Sequence, residues 1–228
     1  LFFGRSVRDV EYNYSNQKLS HYNNPFSNSN YYFLTYGGNL GLRMEIVQSP
    51  NQPNVPEFTS FPEIVWDDPD VNNLGATGTL WFSQRIGLGE SYIANNTLHG
   101  YSPGSEINLE FNFGNASSST TTFKVSDGAG FNNITQIGGV GGEFAHINAY
   151  TFTKSYSLPS GNLSVLKLEI PTGQNTSTAS AYVDWYDLNY DRTYNSAVNN
   201  VFHFRSPDLT GMGQYKISTF SSPDLRIF

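Results

Sequence analysis

The chain has 228 residues, a net charge of -7 from 12 Lys and Arg against 19 Asp and Glu, and no cysteine. The missing cysteines exclude disulfides, thiolate metal sites and a thiol nucleophile, and the scattered bases exclude the basic stripe that nucleic acid requires. With 15 Tyr and 17 Phe among abundant Asn, Ser, Thr and Gly, the composition suits pleated strands joined by turns.

The chain opens on Leu1-Phe2-Phe3 followed at once by Gly4-Arg5-Ser6. This shows no signal peptide, and the chain reads as a piece of something longer. Residues 1–30 are polar and read as irregular. Tyr31 to Thr35 reads as a buried strand ended by Gly37-Gly38, with Leu42 to Val47 as its hairpin partner. A connection broken by Pro50, Pro53, Pro56 and Pro62 follows. Gly78 to Ile86, carrying Trp81 and Phe82, reads as the next strand.

The clearest signal runs from Glu106 to Phe113. Ile107, Leu109, Phe111 and Phe113 alternate with Glu106, Asn108, Glu110 and Asn112, the period of two of an antiparallel strand with one wet side. Thr121, Phe123 and Val125 repeat it before an Asp127-Gly128 turn. Ala149 to Leu158, Leu163 to Ile170 and Ser180 to Tyr190 supply three further strands. Val201 to Phe204 and Gln214 to Thr219 close the series. About ten strands with short turns and hardly a helix predict an all-β, antiparallel β-sandwich of jelly-roll type, formed by residues 1–228 as one domain. No apolar run approaches the ~20 residues that span a bilayer.

Candidate chemistry is sparse. Asp67, Asp68, Asp70 and Asn72 place oxygen atoms at near-alternate positions, which calcium favours, but the loop lacks the glycine and closing Glu of an EF-hand. Such a run is more often a solvated turn with Asx caps. His21, His99, His146 and His203 lack zinc-ligand spacing. No Gly-x-Ser-x-Gly elbow occurs, and Gly138 to Gly142 is a loop rather than a phosphate cradle. The Asn-x-Ser/Thr triplets at Asn13, Asn95, Asn115, Asn133, Asn162 and Asn175 are the chance product of an Asn-rich chain. Asp184 and Asp187 differ by three, which sets them on opposite faces of a regular strand and makes them poor partners for glycoside hydrolysis. Tyr182, Trp185 and Tyr186 could stack on sugar rings or pack a core.

A family resemblance goes further. Asn24-Pro25-Phe26-Ser27, followed by Tyr31-Tyr32-Phe33-Leu34-Thr35, resembles the N-terminal region of the gingipain-like sortases of the type IX secretion system. Thr77-Gly78 leading into Trp81-Phe82, downstream of Asp67 to Asn73, is similar to a segment of that family. So are Asp184-Trp185-Tyr186, Arg192 and Phe202 to Arg205. Ser83 and Gln84 depart from the Gly and Glu expected after Trp81-Phe82. The final Ser222 to Phe228 stops about where that family runs into an Asp-rich linker.

The resemblance implies a parent cysteine peptidase of the Bacteroidetes cell surface that removes C-terminal sorting signals from secreted cargo. This chain would be its non-catalytic N-terminal accessory domain, exported and cell-surface or outer-membrane associated. Its partners would be the C-terminal peptidase domain of the same chain and secretion-system proteins. No catalytic residue is carried over, and no cofactor is implied beyond the calcium weighed above. The alternative reading is a secreted carbohydrate-binding β-sandwich.

Overall fold

The computed structural model describes residues 7–13, 15, 18–24, 26–27, 29–31, 37–38, 53–76, 78, 80–128, 130–142, 145–174, 178–205 and 212–221. The strands expected over Tyr32 to Thr35 and Leu42 to Val47 lie outside them. Among the described residues there are fifteen strands: β1 (Arg8–Asn13), β2 (Lys18–Asn23), β3 (Glu57–Phe58), β4 (Ser60–Asp67), β5 (Asn72–Asn73), β6 (Trp81–Phe82), β7 (Ile86–Gly87), β8 (Ser91–Thr97), β9 (Ile107–Asn115), β10 (Thr121–Asp127), β11 (Phe131–Ile137), β12 (Asn148–Tyr156), β13 (Leu163–Glu169), β14 (Ser180–Thr193) and β15 (Gln214–Tyr215). A 3-10 turn, Leu74–Ala76, is the one helical element among the described residues.

The class is all-β, with more strands than the ten expected. A four-stranded sheet in the order β11-β10-β13-β8 faces a five-stranded sheet, β12-β9-β14-β4 with β7 also on β14. From β8 to β14 the chain crosses between these sheets at every connection except the β10–β11 hairpin. Such crossing is the habit of a jelly roll.

The alternation expected around Glu106 to Phe113 is what builds the core. In β9, Ile107, Leu109, Phe111 and Phe113 are all at most 2% exposed. Val183, Tyr186 and Leu188 of β14 continue their face, and Phe123, Val125, Leu166 and Leu168 oppose them from the other sheet. The ring of Phe113 meets that of Phe123 across the layers at 5.5 Å. Burying such side chains contributes ~1.5–3 kcal/mol each.

Several expectations need correction. Residues 1–30 contain an antiparallel hairpin, β1 with β2, in which Asn13 pairs with Lys18 and Arg8 with Asn23. Pro62 does not break regular structure: it lies inside β4, opposite Asp191. It is tolerated because β4 is an edge strand, where one amide has no ladder partner to lose. Gly78 to Ile86 divides into β6 and β7, and within Val201 to Phe204 only Val201 makes a bridge, to Val198. β8 and β11 lacked a readable pattern; their outward faces carry Ile93 and Ile134, at 53% and 72% exposure.

Two polar devices fix the loops. The Asn115 side chain is fully buried and aims its amide nitrogen at the carbonyls of Ser119, Ile137 and Gly138 (2.9–3.1 Å). It holds the glycine loop so close that a Cβ on Gly139 would lie 2.3 Å from the Ser118 carbonyl oxygen. Asp127, also fully buried, accepts hydrogen bonds from the Tyr156 hydroxyl, Ser164 Oγ (2.6 Å) and the Val165 amide (2.7 Å). Replacing Asp127 by Ala strands those donors. Urea denaturation should show a loss of about 3 kcal/mol, of the order of one to two buried unsatisfied groups; an unchanged midpoint would show the knot contributes nothing.

Candidate functional site

The outer face of the five-stranded sheet carries the densest chemistry of the described residues, because β14 changes phase there. Val183 pairs with Phe113 while Trp185 pairs with Asn112, leaving Asp184 as an extra residue in a β-bulge. Before the bulge the odd-numbered residues Ala181 and Val183 face the core; after it, Tyr186, Leu188 and Tyr190 do. A bulge re-aims side chains in this way. As a result Asp184 and Asp187 both fall on the outer side, not on opposite faces as a regular strand requires. The bulge also separates the three expected binding aromatics. Tyr186 turns into the core, 3% exposed, with its hydroxyl on Asn96 Oδ1 at 2.8 Å. Trp185 and Tyr182 stay outside, and Tyr182 packs against Phe82.

Over this face lies the β1–β2 hairpin. It pairs with neither sheet of the sandwich, and Leu19 is its one fully buried side chain among the described residues. It is fastened largely through polar groups. The Leu19 amide donates to Asn189 Oδ1 (3.1 Å), Lys18 Nζ meets Glu110 Oε2 (2.5 Å), and Asn23 Nδ2 donates to both Asp68 (2.8 Å) and Asp70 (2.9 Å). His21 Nδ1 lies 2.6 Å from Asp187 Oδ1, and its Nε2 lies 4.0 Å from Asp68 Oδ2. The imidazole stacks on Trp66 (centroids 4.9 Å apart, 19° between planes) and leans on Trp185 at 5.0 Å. Arg8 sits 4.6 Å over the Trp66 ring.

The electrostatic reason for this arrangement lies in the sheet. Asp187 of β14 stands directly opposite Glu110 of β9, and like charges facing across strands repel. The hairpin sets one basic group on each: His21 on Asp187 and Lys18 on Glu110. Burial opposes charge on His21, but the Asp187 hydrogen bond and the charges of Asp187, Asp68 and Asp184 outweigh it, so its pKa is raised above 6.5. Burial, reinforced by Asp68 and Asp70, pushes Asp184 up to about 6 against the pull of His21. Burial likewise raises Asp68, with Asp70 adding to it and Asn23 opposing.

Each of the expected calcium residues is engaged by a protein group. Asp67 accepts from Tyr92 (3.4 Å) and Arg8 (3.5 Å), Asn72 donates to the Ser83 carbonyl (2.8 Å), and Asp68 and Asp70 share the Asn23 amide. Among the described residues no group of three His, Cys, Asp or Glu side chains is arranged to hold a metal ion. His21 and Trp66 were missed as site residues. The signal that could have found them is the run Val10 to Tyr12 with Leu19 to Tyr22, short alternating segments on either side of a polar turn.

A second polar centre ties down the end of the described chain. Glu63 bridges Arg192 (3.1 Å) and Arg205 (2.9 Å), and Arg192 lies 4.9 Å over Phe202. Tyr194, 1% exposed, collects the rings of Phe61, Phe202, Phe204 and Tyr215 around it. Arg192 and Phe202 to Arg205, which carried part of the family resemblance, thus form one aromatic and ionic joint.

With this geometry in hand, comparison with known proteins gives a fold and no more. No protein-family model matches the chain, and no curated protein matches it. Among solved structures it is similar to dimeric latent PorU from Porphyromonas gingivalis, with a TM-score of 0.58 and 11% sequence identity over 83% of this chain. The fold is PorU-like. The matched region spans 18% of that PorU chain. Two carbohydrate-binding modules share less of it. The CBM36-1 domain of a multidomain xylanase from the hindgut metagenome of Trinervitermes trinervoides has a TM-score of 0.37 and 8% identity, covering 56% of this chain and 95% of that one. A CBM36 module in complex with calcium and xylotriose has a TM-score of 0.35 and 12% identity, covering 55% and 98%.

The raised Asp184 gives a test of the electrostatics. A carboxylate whose folded pKa exceeds its unfolded value contributes stability below about 3.8, and this is lost as pH rises through about 6. Asp184→Asn should therefore stabilise the protein at pH 7.5 and flatten the fall in stability between pH 4 and 6. Thermal melts should show a rise of about 2–4 °C for each kcal/mol relieved. A variant that melts below the parent at pH 7.5 would show that the charge is stabilising where it stands.

Proposed function

We propose that this chain is a non-catalytic accessory domain of a gingipain-like cell-surface cysteine peptidase, the type of enzyme that processes the sorting signals of secreted cargo. The observation that carries the reading is the PorU-like fold over 83% of this chain, matched to 18% of a much longer one. That proportion suits a module belonging to a larger protein. The site chemistry agrees with a supporting role. The chain has no cysteine to serve as nucleophile, and His21, its best-placed titratable base, is stacked on Trp66, leans on Trp185 and is paired to a carboxylate. An imidazole so enclosed holds structure together rather than attacking a substrate. No membrane-spanning helix occurs among the described residues, which is compatible with an exported domain.

The joint at Glu63, Arg192 and Arg205 ties the segment after β14 to the sandwich. In this reading the domain positions the peptidase.

Carbohydrate binding is the competing role, and the outward Trp185 and Tyr182 are the residues that would serve it. The deciding experiment has two parts. The native gene product is sequenced by mass spectrometry, and the purified 228-residue chain is assayed for peptide hydrolysis and for glycan binding by calorimetry. A Cys/His peptidase domain in the native product, with no hydrolysis by the fragment, is the expected result. A native product without such a domain, and saturable glycan binding lost in Trp185→Ala, would replace this reading with the carbohydrate-binding one.

A further inference from the structure

A two-stranded ribbon is marginally stable alone in water, so β1–β2 depends on the sandwich for its order. Its attachment has an unusual composition. One buried apolar side chain, Leu19, is set among ion pairs and hydrogen bonds that couple basic or neutral polar groups of the hairpin to acidic groups of the sheet. At their centre is the His21 imidazole, the one group among these contacts whose ordinary titration falls in the physiological range. We infer that the hairpin is a detachable strap across the outer face of the five-stranded sheet, docked by the imidazolium of His21 on Asp187 between Trp66 and Trp185, and released when His21 becomes neutral.

The charges facing His21 make the sign unambiguous. Asp187 and Asp184 face it from β14, Asp68 from the loop after β4 with Asp70 behind, and Arg8 of β1 lies over the same Trp66 ring, paired to Asp67. The second pair on the strap is Lys18 with Glu110. Acidic neighbours thus outnumber basic ones around the ring. A protonated His21 donates from Nδ1 to Asp187 and directs Nε2–H toward Asp68. A neutral one leaves Asp187, whose side chain is 4% exposed, opposite Glu110 with less positive charge to offset the repulsion.

Docking therefore takes up a proton. Below pH 6.5 the strap has the full benefit of His21, and it loses that benefit as pH rises through the raised pKa of the docked state. Release uncovers Trp66, Trp185 and the carboxylates of Asp184 and Asp187 as a joined aromatic and acidic face. The inference does not depend on the proposed parent enzyme, since its test reads the strap alone.

The test is amide hydrogen exchange of the intact 228-residue chain between pH 6 and 9, corrected for the intrinsic pH dependence of exchange. Opening of residues 8–13 and 18–23 should increase by up to about tenfold per pH unit between 6.5 and the raised pKa of the docked state, the slope for one linked proton, and level off above it. Amides of β9 and β13 should not follow. In His21→Gln the strap should open more than the parent at pH 6 and lose the slope, while unchanged protection of β9 shows the sandwich intact. Asp187→Asn should flatten the slope as well, and neither variant should alter the far-ultraviolet spectrum of the sheets. Acrylamide quenching of tryptophan emission gives a second readout, rising with pH in the parent and constant in His21→Gln. A strap that opens equally at pH 6 and pH 9, or the same slope in His21→Gln, would overturn the inference.

Discussion

The pairing of β9 with β14 is the constraint from which the rest of the molecule follows. These two strands form the middle of the larger sheet, so each of their faces must satisfy a different environment. Inward, Leu109, Phe111 and Phe113 of β9 and Val183, Tyr186 and Leu188 of β14 build the dry core. Outward, Asn108 faces Asn189, Glu110 faces Asp187, and Asn112 faces Trp185. The outer ladder is therefore polar and acidic, and it cannot pack against a second apolar layer. The hairpin resolves this by bringing a lysine, a histidine and an asparagine to the carboxylates while hiding Leu19 and Ile64.

The bulge at Asp184 determines where that solution is built. Without it, Trp185 would point inward with Val183, and Tyr186 would face solvent. The inserted residue sends the indole outward to meet His21, and swings Tyr186 inward to Asn96. Core and outer site are thus set by one irregularity in one strand. The crowding of Asp184 among other carboxylates is the local consequence.

How much of this was legible in the sequence depends on how sharply each segment separates dry from wet. The β9 segment reads clearly because every second residue is apolar and its opposite face is polar. The boundaries of β10, β12, β13 and β14 lie close to the expected ones for the same reason. The β1–β2 hairpin was illegible because its burial comes from ionic and ring contacts with residues more than forty positions away, which leave little apolar periodicity. Pro62 hid β4, since a proline excludes a central strand but is accepted on an edge. The bulge contains no glycine to announce it, and period counting through Asp184 therefore set Asp184 and Asp187 on opposite faces. The acidic run Asp67 to Asn73 suggested calcium by composition, whereas the side chains engage Asn23, Arg8, Tyr92 and Ser83.

The sheet order also imposes a sequence of events on a growing chain. Among the described residues β4 has only β14 as its sheet neighbour, with Asp67 beside Tyr186 and Ser60 beside Thr193. More than a hundred residues must follow β4 before its partner exists, and such distant pairings form slowly. The hairpin precedes the sandwich in the chain, yet Asp187 lies 166 residues after His21. Its landing place is among the last surfaces of this domain to be completed. Within the domain the hairpin is made before the surface on which it settles, so His21 cannot dock until β14 is in place.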